Sequence, residues 1–396
     1  MLFILVFVYF LVCIFSFIYL KKLSLQDRVL CFLIVLMTTG FVYMSSILIL
    51  LFLLRDSLFV KLPSNSQFIK VFLFCFIITI TSFFGNNFEI NFLEYFQTII
   101  LGSLVILIRR RDFNYIKSVC VGFFIGSILI AANILISEFI LNSLTQETYK
   151  FFSISSTYNY TVYFLFFGLI VSPDFLFKKL YFKTLCFIVF SISSYILQSR
   201  SGFTLGLLFF VFLNIKIDFK SIFTLSAFSI AIFFLLNSSL IDKNNPNDIL
   251  YSTLNLESNR SNLERFLMVI GSFEMLEKEP YGAGLGNASF LLERLGIYHP
   301  HPHNVMANWI YELGYIGIVL YVLFIFFILK TIRITQLNKE HKFKITIVIY
   351  LIGMSQLSSL QYNILVSLIT YFAISLAYSN NEKLVYNNQA TSLKNV

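Results

Sequence analysis

Residues 117–141 read KSVCVGFFIGSILIAANILISEFIL. A lysine stands at the entrance and a glutamate near the exit, with no charge between them. A helix needs about 20 mostly apolar residues to cross the hydrocarbon core of a bilayer. This stretch therefore predicts a transmembrane helix.

The pattern recurs along the chain. Apolar runs at 2–20, 29–54, 68–84, 92–108, 158–172, 182–198, 202–215, 222–240, 305–329, 345–358 and 364–379 join 117–141 as candidate spans. The fold class that follows is an all-α polytopic membrane protein with about twelve spans. Composition points the same way. Hydrophobic residues make up 58% of the 396 and charged residues only 12%, against about 25% in soluble domains. Too little polar surface exists to clothe a water-soluble fold. The run 2–20 is too long for the core of a signal peptide and lacks a basic leader or a small-residue cleavage site, so it reads as an uncleaved first helix.

The 49 Phe and 22 Tyr read as packing rather than as a ligand lining. The net charge of +9 does not indicate nucleic acid, because the basic residues sit in short loops between apolar runs. Basic loops set membrane orientation. Arg109, Arg110, Arg111 and Lys117 mark one cytoplasmic loop, Lys178, Lys179 and Lys183 a second, and Lys330, Arg333, Lys339, Lys342 and Lys344 a third. Twelve spans place all three on one side, with 55–70, 214–220 and the C-terminal tail. Lys21, Lys22 and Arg28 object, since the same count places them outside. A hairpin of two short spans within 29–54, turning at Thr38-Thr39-Gly40, is the alternative that moves them inside. Cys13, Cys31, Cys75, Cys120 and Cys186 all lie in apolar runs, with no disulfide framework or zinc spacing.

Residues 241–304 form the one long polar loop, placed outside. It opens on a turn-rich linker, Asp242-Lys243-Asn244-Asn245-Pro246-Asn247-Asp248. Leu263, Phe266, Leu267, Ile270, Phe273 and Leu276 then recur at helical spacing, which predicts an amphipathic helix from about Asn262 to Lys278. Pro280 ends it, and Gly282, Gly284 and Gly286 follow in a glycine-rich loop. No strand precedes this loop and no Lys-Ser/Thr follows, so it is not a nucleotide loop. The chain divides accordingly into 1–240 with about nine spans, the outer loop 241–304, the spans within 305–379, and a cytoplasmic tail 380–396.

Three of the four histidines fall in Tyr298-His299-Pro300-His301-Pro302-His303-Asn304, just before the apolar run 305–329. Three roles compete for them: a metal site, a solvated loop without a role, and a general base at the membrane face. Alternation on an extended strand would point the three rings one way, but no paired cysteine or carboxylate motif accompanies them. Histidine suits a base because its pKa lies near neutrality. Two arginines sharpen that third role. Arg200, in Gln198-Ser199-Arg200-Ser201-Gly202, lies between two apolar runs, where a charge is costly. Arg265 lies on the amphipathic helix. Guanidinium groups bind phosphate bidentately, whereas snorkelling and a surface ion pair are their ordinary alternatives.

His303-Asn304, then nine residues, Gly314, two residues and Gly317 resemble the signature of the O-antigen ligase and O-antigen polymerase superfamily. His301, the step Glu312-Leu313-Gly314, Arg265-Phe266 at the head of a helix, Glu279-Pro280 at its end and Gln198 to Gly202 fit the same pattern, over roughly residues 190–330. One departure is Leu320, where the ligase pattern has Gly, Thr or Tyr. The resemblance implies a metal-independent glycosyltransferase of the bacterial inner membrane, without a cofactor, with 241–304 facing the periplasm. His303 would be the base. Arg200 and Arg265 would hold the diphosphate of an undecaprenyl-linked glycan. His301, Asn304, Glu312, Gly314 and Gly317 would bind substrate or shape the motif. Donor and acceptor glycans, membrane lipid, a chain-length regulator and a flippase are the implied partners, and nucleic acid is not one. The Leu320 departure favours polymerisation of O-antigen or capsule repeat units over ligation to lipid A core. A transporter of the same lipid and a non-catalytic scaffold are the competing classes.

Overall fold

The computed structural model describes residues 23–38, 42–60, 63–84, 92–108, 113–139, 158–172, 180–197, 260–299, 301–330, 339–357 and 364–378. Among these there are thirteen α-helices, a five-residue π-helical turn at Asp56–Val60 and no strand. In chain order the helices are α1 (Leu25–Leu36), α2 (Val42–Arg55), α3 (Asn65–Phe84), α4 (Phe92–Ile106), α5 (Phe113–Phe139), α6 (Tyr158–Ile170), α7 (Leu180–Ile196), α8 (Arg260–Lys278), α9 (Ala288–Arg294), α10 (Val305–Leu313), α11 (Tyr315–Lys330), α12 (Lys339–Leu357) and α13 (Ile364–Tyr378). The expected spans 2–20, 202–215 and 222–240, the linker 242–248 and the tail lie outside the described residues.

Helix α5 is the axis of the bundle. Its stretch Asn114–Glu138 is, among the described residues, the one helix long and apolar enough to cross a bilayer by itself, while several apolar helices are shorter. Small residues let its neighbours approach. A Cβ on Gly122 would meet Ile34 of α1 at 3.0 Å, and one on Gly168 of α6 would meet the Ser127 hydroxyl at 2.0 Å. Ser127 in turn donates to the Phe164 carbonyl at 3.0 Å. Close backbone approach at small residues, with a hydroxyl bonding across, is how helices associate where lipid removes the hydrophobic drive between them. Phe123 completes the contact, edge-on to Phe167 and Phe372 with ring centroids at 4.7 and 5.5 Å.

Large apolar side chains also face outward. Phe68, Phe72, Phe76 and Phe83 on α3 and Val319, Val322, Leu323 and Phe326 on α11 are exposed. Water penalises such faces and hydrocarbon does not. The described residues are those of a helical membrane protein.

Two expected spans are each broken. The run 29–54 is two helices, α1 and α2, which pack on each other and are separated at residues 37–41. Thr38 caps the end of α1 from inside, its hydroxyl donating to the Val35 carbonyl at 2.6 Å. The run 305–329 is α10 and α11, broken at Gly314, where φ is 57°. Only glycine takes that conformation at no steric cost. Helix α11 then folds back across α10. A Cβ on Gly317 would stand 2.0 Å from the Trp309 carbonyl, and the Trp309 indole packs on Tyr321 and Phe324.

Candidate functional site

The break at Gly314 is held by the glycine-rich loop. A helix leaves its last carbonyls without partners in the helix. Here the Ala283 N–H donates to the Tyr311 carbonyl and the Gly284 N–H to the Glu312 carbonyl, both at 2.8 Å. Tyr315 N–H donates back to the Pro280 carbonyl at 3.0 Å. The fit leaves no room for side chains. A Cβ on Gly282 would lie 2.4 Å from Glu312 backbone, and one on Gly314 would lie 1.9 Å from the Pro280 carbonyl oxygen. Gly282, Gly314 and Gly317 are therefore structural, and the loop caps a helix from outside its own chain segment.

A second tie lies halfway along. The Tyr311 hydroxyl, fully buried, donates to the Met268 carbonyl of α8 at 2.8 Å. Gly271 leaves space for it, since a Cβ there would be 2.9 Å from that hydroxyl. Met268, Met275, Ala288, Leu291, Leu292, Ala307 and Tyr311 form a small core that joins α8, α9 and α10. Arg294 closes its rim with a bond to Glu279 at 2.6 Å, its guanidinium 4.5 Å above Phe290. Most of the apolar stripe that marked α8 in sequence is turned the other way: Leu263, Phe266, Leu267, Ile270 and Phe273 are exposed, and Leu276 is buried. Helix α8 packs by its opposite side, through Met268, Gly271, Ser272 and Met275.

The histidine loop ends at the N-terminus of α10. Asn304 is the N-cap, its side-chain oxygen accepting the Ala307 N–H at 3.0 Å. Such a cap stabilises a helix by about 1 kcal/mol, so the Asn of the sequence motif has a structural task. The loop is not the extended strand that the alternating histidines suggested. Residues four apart on a strand lie about 13 Å from each other, but the His299 and His303 ring centroids are 4.6 Å apart, edge to face at 63°. The backbone curls between them. His299 Nδ1 donates to the His301 carbonyl at 2.6 Å and closes the curl.

Both inner histidines are held unprotonated. Burial, and then the charge of His299, lower the His301 pKa to about 4. Burial, the Arg265 guanidinium, His299 and His301 lower that of His303 to about 4. The buried Arg265 Nε has no hydrogen-bond partner among the described residues. A neutral imidazole thus stands within reach of the field of a cation, beside a helix N-terminus. That arrangement accepts a proton and favours an anion. Among the described residues no group of three His, Cys, Asp or Glu could hold a metal ion.

The structure thus brings His299, His301, His303 and Arg265 together, on a loop and a helix tied to α10. Glu312 and Gly314 lie at the far end of α10, about 14 Å from its N-cap by the rise of a nine-residue helix, and Gly317 lies on α11. Glu312 is fully buried on the face it shares with Asn304 and Asn308, at four-residue spacing. Arg200 lies outside the described residues. Sequence reasoning missed Tyr311 and Asn308. The spacing of Asn304, Asn308 and Glu312 was a signal for one polar stripe, whereas nothing local marked the Tyr311 bond.

Residues 185–322 match the family model described as O-antigen ligase. The matched stretch contains Arg200, Arg265, His301, His303, Asn304, Glu312, Gly314 and Gly317, and it supports the O-antigen ligase and polymerase superfamily. Among curated proteins none matches the chain.

Proposed function

We propose that the chain transfers a glycan from a diphosphate-linked polyprenol carrier to an acceptor hydroxyl, and that it does so as a polymerase of repeat units. One observation carries this: His303, half-buried and with its pKa lowered, near the Arg265 guanidinium, whose Nε has no hydrogen-bond partner among the described residues, within the stretch similar to O-antigen ligase. His303 takes the proton of the acceptor hydroxyl. The freed oxygen attacks the anomeric carbon from the side opposite the diphosphate, the bond to the diphosphate breaks, and the configuration inverts. Arg265, joined by Arg200, takes up the charge that grows on the leaving diphosphate.

The low pKa of His303 fits this order of events. An imidazole with a pKa of about 4 is a weak base on its own, and a base near neutrality serves best. A bound diphosphate neutralises the Arg265 charge and adds its own. Both changes raise the basicity of His303. The base is thus armed by the substrate it serves. No nucleotide is consumed, because the diphosphate ester is already activated. The outer location of 241–304, the bacterial inner membrane and the partnership with a flippase and a chain-length regulator belong to this proposal. Ligation to lipid A core is the second reading, favoured by the description of the matching family.

The test is His303→Ala. Correctly inserted protein that makes no polymer is the expected result, and polymer of unchanged length refutes the base. Arg200→Lys, if fully active where Arg200→Ala is not, refutes bidentate diphosphate binding. Cells without the chain separate the two readings: single repeat units on the surface mean a polymerase, and bare core with polymer left on its carrier means a ligase.

A further inference from the structure

We propose that His299 is a positioning residue for His303, the wall that sets the plane of the base; this rests on the role of His303 proposed above. A base transfers a proton efficiently only when a ring nitrogen meets the hydroxyl in line, and an imidazole at the tip of a loop has two free torsions to misplace it. Two features remove that freedom. The edge-to-face contact at 4.6 Å puts the His299 ring against the side of the His303 ring, and the Asn304 cap fixes the residue that follows. The wall is itself fixed. The contacts of His299 Nδ1 with the His301 carbonyl, at 2.6 Å, and with the His301 N–H, at 3.3 Å, hold its rotation.

Simple packing is the competing role for this ring. It differs in what it predicts for titration. The charged or titratable groups acting on His303 are Arg265 from α8 and His299 and His301 from its own loop. Removing the His299 ring opens one side of His303 to water and takes away one of these groups. The acid limb of kcat/KM, which reports the protein without substrate, must then move upward, toward the ordinary histidine range. Loss of folded protein lowers the rate at every pH and leaves the limb in place.

The experiment uses the full chain, purified in detergent, with undecaprenyl-diphosphate-linked oligosaccharide taken from cells that lack the chain. For His299→Ala, kcat is expected to fall roughly 10- to 100-fold, with KM for the donor within about threefold, and the acid limb to rise by about one pH unit or more. His299→Phe refills the same space with a flat ring. It is expected to regain kcat to within about threefold of the parent protein, with the acid limb low again. An unshifted limb in His299→Ala, or a His299→Phe protein as impaired as His299→Ala, overturns the proposal. His303→Gln is run beside them. If it retains activity, the base assignment fails and the positioning role falls with it; if it is inactive while His299→Ala behaves as the parent, only the positioning role fails.

Discussion

Replacing Gly314 by alanine tests the joint between α10 and α11. The backbone there has φ of 57°, which costs an L-residue about 1–2 kcal/mol. The new methyl would also stand 1.9 Å from the Pro280 oxygen and 2.9 Å from the Gly282 nitrogen. Backbone cannot yield locally, so the loop must leave. It takes with it the bonds Ala283 to Tyr311, Gly284 to Glu312 and Tyr315 to Pro280, each contributing about 0.5–1.5 kcal/mol. The total loss is about 2.5–6.5 kcal/mol. Gly296 is the control. Its φ is 73°, yet nothing lies within 4 Å of the site of a Cβ, so Gly296→Ala bears only the strain of about 1–2 kcal/mol. Unfolding in mixed micelles of rising SDS fraction measures both. Equal losses in the two proteins would refute the view that the glycine-rich loop is the cap of α10.

Three more perturbations follow from the site. Arg265→Lys keeps the charge but loses the planar fork, so donor binding is expected to weaken roughly 10-fold or more, measured as KM, with the protein folded. Asn304→Ala removes the α10 cap and is expected to cost about 1 kcal/mol in the same micelle titration, while Asn304→Asp retains it. His301 and His303 both have folded pKa values lowered to about 4 from 6.5. The unfolded chain therefore binds more protons between these values, and stability falls as pH drops from about 6.5 to about 4. Substitution of His303 by Gln is expected to flatten part of that loss, and kcat/KM of the parent protein, which reports the protein without substrate, is expected to persist at about pH 5.5, where an ordinary histidine is mostly charged.

Helix content was legible because apolar runs have few other solutions. The α5 stretch and the α8 boundary at Lys278 needed only hydropathy and Pro280. The breaks were not legible. Gly314 sits inside an apolar run, and an isolated glycine there reads as tolerated; what makes it a joint is a carbonyl at Pro280, thirty-four residues upstream. The facing of α8 was misleading for a similar reason. Its large apolar residues form the visible stripe, but the packed side is built from Gly271, Ser272 and two methionines that admit Tyr311. For the candidate site, residue type and spacing singled out His303, His301 and Arg265, which the fold brings together. The curl that brings His299 to His303 came from one hydrogen bond between neighbours, which no periodicity records.

The glycine-rich loop does more than end a helix. An α-helix resists twisting about its own axis, so its roll, once set at one end, is set at the other. The bonds to the Tyr311 and Glu312 carbonyls, with the Tyr311 hydroxyl on Met268, fix the roll of α10 at its C-terminal turn. That roll is carried over about 14 Å to Asn304, and through it to the direction in which His303 leaves the helix. The aim of the proposed base is thus set from the far end of α10, by glycines that lie at the opposite end of the helix.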